Sequence, residues 1–106
     1  MELANRPAAQ AALVRAADLF AKLDLVPTTN PETYDNQHLG YHFALSVEGH
    51  QDSLLITPVI HGEWFVLSTV IYFNDPAFEA AIERALVDFD YPVEAVKRRR
   101  KLRALT

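Results

Sequence analysis

Six cations stand within the last ten residues of this chain: Lys97, Arg98, Arg99, Arg100, Lys101 and Arg103. Residues 1–96 hold all fourteen carboxylates against only Arg6, Arg15, Lys22 and Arg84, a net charge of −10, and the closing segment returns +6. A block of this density presents ammonium and guanidinium donors, and their natural acceptors are phosphate and carboxylate. These six residues are therefore the predicted partner-binding site. Three readings apply to them. The block closes a helix and pairs back with the acidic body, each exposed pair contributing little; or it docks an acidic protein; or it contacts nucleic-acid phosphates with a steep dependence on salt.

The histidines are the other residues able to do chemistry. His38 and His42 have the i, i+4 spacing that shares a zinc ion on a helix, but the residues around them alternate as a strand does. A strand rises about 3.3 Å per residue, which sets the two about 13 Å apart, too far for one ion. His50 and His61 fall in turns at opposite ends of the next strand. If that hairpin pairs Glu48 with Ser53, Gly40 faces His61, and His42 or His38 approaches His61 and Glu63 diagonally. An enzyme built on His42, His61 and Glu63 is the contrary reading; polar residues on the outer face of a sheet is the plain one.

Other catalytic machinery does not assemble. No G-x-S-x-G surrounds Ser46, Ser53 or Ser68, and no glycine-rich phosphate loop occurs. The chain contains no cysteine, which excludes thiolate nucleophiles, thiolate metal sites and disulfides. Asp88 and Asp90 sit at a helix end as solvated carboxylates. The expectation is no catalytic residue, no metal and no cofactor. The aromatics Tyr41, Phe43, Trp64, Phe65, Tyr72 and Phe73 could stack bases on a sheet, but such sheets carry Lys and Arg between the rings. None occurs between Lys22 and Arg84. They are read as core.

The elements that must position these residues follow from periodicity. Leu13, Ala16, Ala17, Phe20 and Leu23 recur at helical spacing, with Asn5 as N-cap and Pro7 in the first turn, and predict a helix over 7–23. Residues 24–37 are a loop by composition, shortened by one short strand around Leu25 and Val26 that Pro27 stops. Odd positions from Leu39 to Val47 are large and apolar, the signature of a strand with one buried face, predicted over 39–48. Returning strands follow over 53–60, disturbed at its end by Pro58, and over 64–73, apolar on both faces. Asp75 as N-cap and Pro76 as first helical residue open a helix over 77–90 that carries Phe78, Ala81, Ile82, Ala85, Leu86 and Phe89. After Pro92 a short basic helix restarts over 93–105.

Two helices packed on one face of a three-stranded antiparallel meander is the predicted α+β fold, in α-β-β-β-α order with the short basic helix last. Its predicted core is Leu13, Phe20, Phe43, Leu45, Ile56, Val66, Phe78, Ile82 and Leu86. Residues 1–96 form one domain and 97–106 a basic tail; 106 residues, half of them apolar, suit a single core. The doubly apolar third strand predicts a homodimer through the sheet. No apolar run approaches the roughly 20 residues of a membrane span, and the N-terminus lacks the pattern of a signal peptide, so a cytoplasmic protein is expected.

The helix–meander–helix order in a small, acidic, cysteine-free chain resembles that of type III secretion chaperones and of bacterial YbjN-type domains. The likeness is one of element order, and no residue role follows from it. It implies protein binding. The expected function is a non-enzymatic protein-binding module, an adaptor, chaperone-like factor or inhibitor; the alternative is a nucleic-acid-associated regulator that contacts phosphates through the tail alone.

Overall fold

The computed structural model describes residues 6–30, 32–48, 52–61, 63–64 and 67–105. Three helices, α1 (Arg6–Lys22), α2 (Phe78–Asp88) and α3 (Val93–Ala104), pack with an antiparallel sheet. The sheet is built from β1 (Val26–Pro27), β2 (Thr33–Asn36), β3 (Tyr41–Glu48), β4 (Ser53–Ile60), β5 (Glu63–Trp64) and β6 (Thr69–Tyr72). The α+β class stands as predicted. The three-stranded meander does not, for two reasons.

First, residues 24–37 contribute a hairpin. β1 pairs with β2, and β2 pairs with β3 through Tyr34↔Phe43 and Asp35↔His42, which extends the sheet beyond the predicted edge. Loop-type residues hide it in the sequence, yet Tyr34 sets its ring edge-on against Phe20, with centroids 5.3 Å apart. That contact anchors a strand too short and too polar to show periodicity. Second, the third strand is split. Between the pairs Ile56↔Thr69 and Val59↔Trp64 the returning chain carries two more residues than β4 does. Pro58 lies opposite the interruption and has no N–H to give a neighbour. The side chains of Thr57 and Ser68 span the gap with a 2.8 Å hydrogen bond.

The β3–β4 register, with Glu48↔Ser53 and Leu45↔Ile56, sends Phe43, Leu45, Leu54 and Ile56 to the helical side. Ile71 joins them from β6. Of the predicted core, Phe20, Phe43, Leu45, Ile56, Phe78, Ile82 and Leu86 are buried; Leu13 is only half-buried, and Val66 lies outside the described residues. Ala9, Ala12 and Ala16 take the place expected of Leu13. A stripe of small residues lets α1 lie close to its neighbours, so its buried face is turned toward the alanines.

Helix ends prepare the site. Leu25 N–H donates to Phe20 O at 2.8 Å and Asp24 N–H to Ala21 O at 3.1 Å, while Asp24 takes a left-handed φ of 62°. α2 closes in the same way, with Tyr91 N–H on Leu86 O and Asp90 at φ 67°. These are helix stops in which aspartate occupies the position usually given to glycine. The start of α2 differs from the sequence reading. Asp75 accepts the Ala77 N–H at 2.8 Å and so builds a turn that contains Pro76, and the helix proper begins at Phe78. The Asn5 cap lies outside the described residues.

The turn between β2 and β3 is fixed by Asn36, whose Oδ1 accepts the Leu39 N–H at 3.0 Å and whose carbonyl accepts the Gly40 N–H at 2.8 Å. Gly40 sits at φ 78°, and a Cβ added there meets no atom within 4 Å. Gly40→Ala is therefore expected to cost about 1–2 kcal/mol through backbone strain alone. Thermal unfolding checks this, and an unchanged midpoint would contradict the left-handed turn.

Candidate docking site

α3 is seated on the body by Val93 and Val96, both buried. Helical geometry, about 100° per residue, then sorts the basic block into two faces. Lys97, Arg100 and Arg103 recur every third residue and turn inward. Lys97 Nζ donates to Glu83 Oε1 at 2.6 Å, and Glu94 stands 3.9 Å away. Arg100 Nη1 donates to Asp24 Oδ1 at 2.8 Å and to Ala21 O at 3.2 Å, and Arg103 Nη2 donates to Asp24 Oδ2 at 2.9 Å. The hydrogen bond to Glu83, helped by the charges of Glu83 and Glu94, raises the Lys97 pKa. All these pairs are partly open to solvent, so each contributes no more than about 1 kcal/mol.

Arg98, Arg99 and Lys101 are exposed and form no ion pair among the described residues. Leu102 is 59% exposed and Leu105 78%. Arg98, Lys101, Leu102 and Leu105 follow the i, i+3, i+4, i+7 rule and so share one stripe of the helix, with Arg99 beside it. The six predicted binding residues thus divide into three that hold the helix down and three that face outward. The partners Asp24 and Glu83 were not singled out in the sequence. The one available signal was the acidic excess of residues 1–96.

Among the grooves near this region and the sheet, two take in residues singled out in the sequence. One, of about 440 Å³, runs between α3 and the β2–β3 turn and is lined by Asp24, Asn36, His38, Leu39, Val96, Arg99 and Arg103. The other, of about 570 Å³, lies over the outer face near the ends of β2, β3 and β4, and takes in Asp35, His42 and His61. There the Glu48↔Ser53 register holds and brings His42 and His61 to one groove, as the hairpin argument requires. Glu63 and His38 are not among its walls, and His50 lies outside the described residues. His42 Nδ1 is 3.3 Å from Asp35 Oδ2, close enough for the carboxylate to orient the ring. No group of three or more His, Asp or Glu among the described residues could hold a metal ion. The aromatics read as core divide as well: Phe43 is buried, Tyr41 and Phe73 are half-buried, Tyr72 is exposed and so is not core, and Phe65 lies outside the described residues.

No helix among the described residues is long and apolar enough to cross a membrane. Comparison with protein-family models, with curated proteins and with solved structures yields no match.

Proposed function

We propose that this protein is a non-enzymatic protein-binding module that docks an acidic partner on the outward face of α3. The observation that carries the reading is the sorting of the basic block: among the described residues Arg98, Arg99 and Lys101 form no ion pair with the body's carboxylates, and they run alongside exposed Leu102 and Leu105. A cationic helix stripe with two leucines suits an acidic surface that also offers apolar contact. Nucleic acid is the weaker fit. Three outward cations give a salt slope of roughly −3 in log–log terms, too shallow for tight phosphate binding, and residues 1–96 carry a net −10.

The test compares capture from the native host by the parent chain and by the Arg98→Glu/Arg99→Glu/Lys101→Glu variant, with mass spectrometry of what each retains. The parent is expected to retain at least one acidic protein that the variant loses, with both chains melting within about 2 °C because exposed positions contribute little to stability. Identical captures would contradict the reading.

A second contact rests on β6. Val70 is 43% and Tyr72 49% exposed, and among the described residues β6 pairs with β4 alone. Residues 64–73 contain no charge, proline or glycine, none of the devices that guard a free strand edge. A second copy of the chain supplies the cover, since antiparallel pairing of like edges about a two-fold axis is self-complementary and this uncharged stretch adds no repulsion. Sedimentation at high micromolar concentration is expected to show a dimer that Val70→Lys converts to monomer. A clean monomer of the parent would reject it.

A further inference from the structure

We infer that the groove between α3 and the β2–β3 turn seats a single carboxylate of the acidic partner, from a side chain or a chain terminus; the inference rests on the docking reading above. Arg99 and Arg103 stand four residues apart on α3 and line the same wall, and His38 faces them from the turn. Arg99 has no ion pair among the described residues, so its planar fork of N–H donors is available for bidentate contact with a carboxylate. Asp24 grips Arg103 at 2.9 Å and fixes that guanidinium at the groove.

Asp24 is also part of the groove wall, but its two carboxylate oxygens are held by Arg100 and Arg103, so the fork of Arg99 is the donor group left to an incoming carboxylate. Leu39 and Val96 supply apolar surface for the chain that bears the carboxylate. Both walls are held before any ligand arrives. The turn is tied by Asn36 to the Leu39 N–H and to the Tyr91 hydroxyl, and α3 is seated by Val93 and Val96. Such preorganisation lowers the ordering cost of binding. At about 440 Å³ the groove admits a side chain with part of its backbone.

The experiment follows the arginine Nε–Hε and histidine ring resonances by NMR while N-acetylated hexaglutamate is added, with its C-terminus free or amidated. Arg99 and His38 are expected to shift. Arg99→Ala should weaken binding about ten-fold, with Arg99→Lys recovering only part because an ammonium cannot form the fork. Equal binding of the two peptides assigns a side-chain carboxylate; a ten-fold loss on amidation assigns the terminus. A shift confined to Arg98 would overturn the groove and leave the docking stripe standing. No shift anywhere would overturn both. Inorganic phosphate that binds more tightly than hexaglutamate would overturn the carboxylate assignment.

Discussion

Tyr91→Ala is expected to lose about 3–5 kcal/mol of folding stability and shift the urea midpoint strongly downward, and Tyr91→Phe to leave a folded but less weakened chain. The Tyr91 ring is buried and meets Tyr41 and Phe43 edge-on, with centroids 5.1 and 5.9 Å away. Its hydroxyl donates to Leu23 O and accepts from Asn36 Nδ2 at 3.1 Å. One side chain thereby joins the end of α1, strand β2 and the segment leading into α3. Removing such a ring costs about 3–5 kcal/mol, a large part of the 5–15 kcal/mol typical of a domain. Losing only the hydroxyl strands a carbonyl and an amide, at about 1–3 kcal/mol. Urea unfolding followed by fluorescence or circular dichroism separates the two. A Tyr91→Phe variant as stable as the parent would mean that the hydroxyl contributes nothing.

The same residue sets an alkaline limit. Burial is the main cause holding the Tyr91 phenol above the ordinary tyrosine value of 10.0, with Asp24 and Tyr41 adding to it and the Asn36 hydrogen bond opposing; burial does the same for Tyr34. Above that pH the unfolded chain releases tyrosine protons that the folded chain retains, so the unfolded state binds fewer protons and stability falls as pH rises. Lys97 acts in the same direction: its raised pKa contributes stability that is complete below the unfolded value of 10.5 and is lost as pH climbs through the folded one. Stability measured from pH 8 upward should hold and then decline past about 10, less steeply in Tyr91→Phe. A rise in that range would contradict the burial of both phenols.

Phe20→Ala is the second large effect. Phe20 is fully buried at the end of α1, its carbonyl accepts the N–H groups of Leu23 and Leu25, and its ring carries Tyr34. The ring alone contributes about 3–5 kcal/mol. Its loss should fall first on the β1–β2 hairpin, which has few other apolar contacts. Hydrogen exchange on a marginally stable Phe20→Ala chain is expected to show early loss of protection at Thr33–Asn36, with β3 and β4 protected longer. Uniform loss across the sheet would show that the hairpin does not open on its own.

Periodicity was a good guide wherever a long element buried one face. The stripes of α1 and α2 and the alternation of β3 were plain because apolar residues repeated over several turns or pleats. Short elements left no such trace. β2 has four residues and is polar at Thr33, Asp35 and Asn36; only its pairing with β3 and the ring of Tyr34 make it a strand. The break between β5 and β6 falls opposite Pro58 of a neighbouring strand, and the local composition of the third strand does not reveal it. The basic block was visible at once, but its division was not. That division follows from Asp24, whose left-handed conformation is a tertiary outcome, and from Glu83 one helix away.

The outward face of α3 as an acidic-protein docking stripe is tested most directly by fluorescence anisotropy of labelled polyglutamate and of a labelled random DNA duplex, titrated with the parent chain and with Arg98→Glu/Arg99→Glu/Lys101→Glu at several salt concentrations. Polyglutamate is expected to bind the parent more tightly than the duplex at every salt and to lose affinity as salt screens the three outward charges, and the variant to bind neither. Polyglutamate bound equally by parent and variant, or a duplex preferred by the parent, would contradict it.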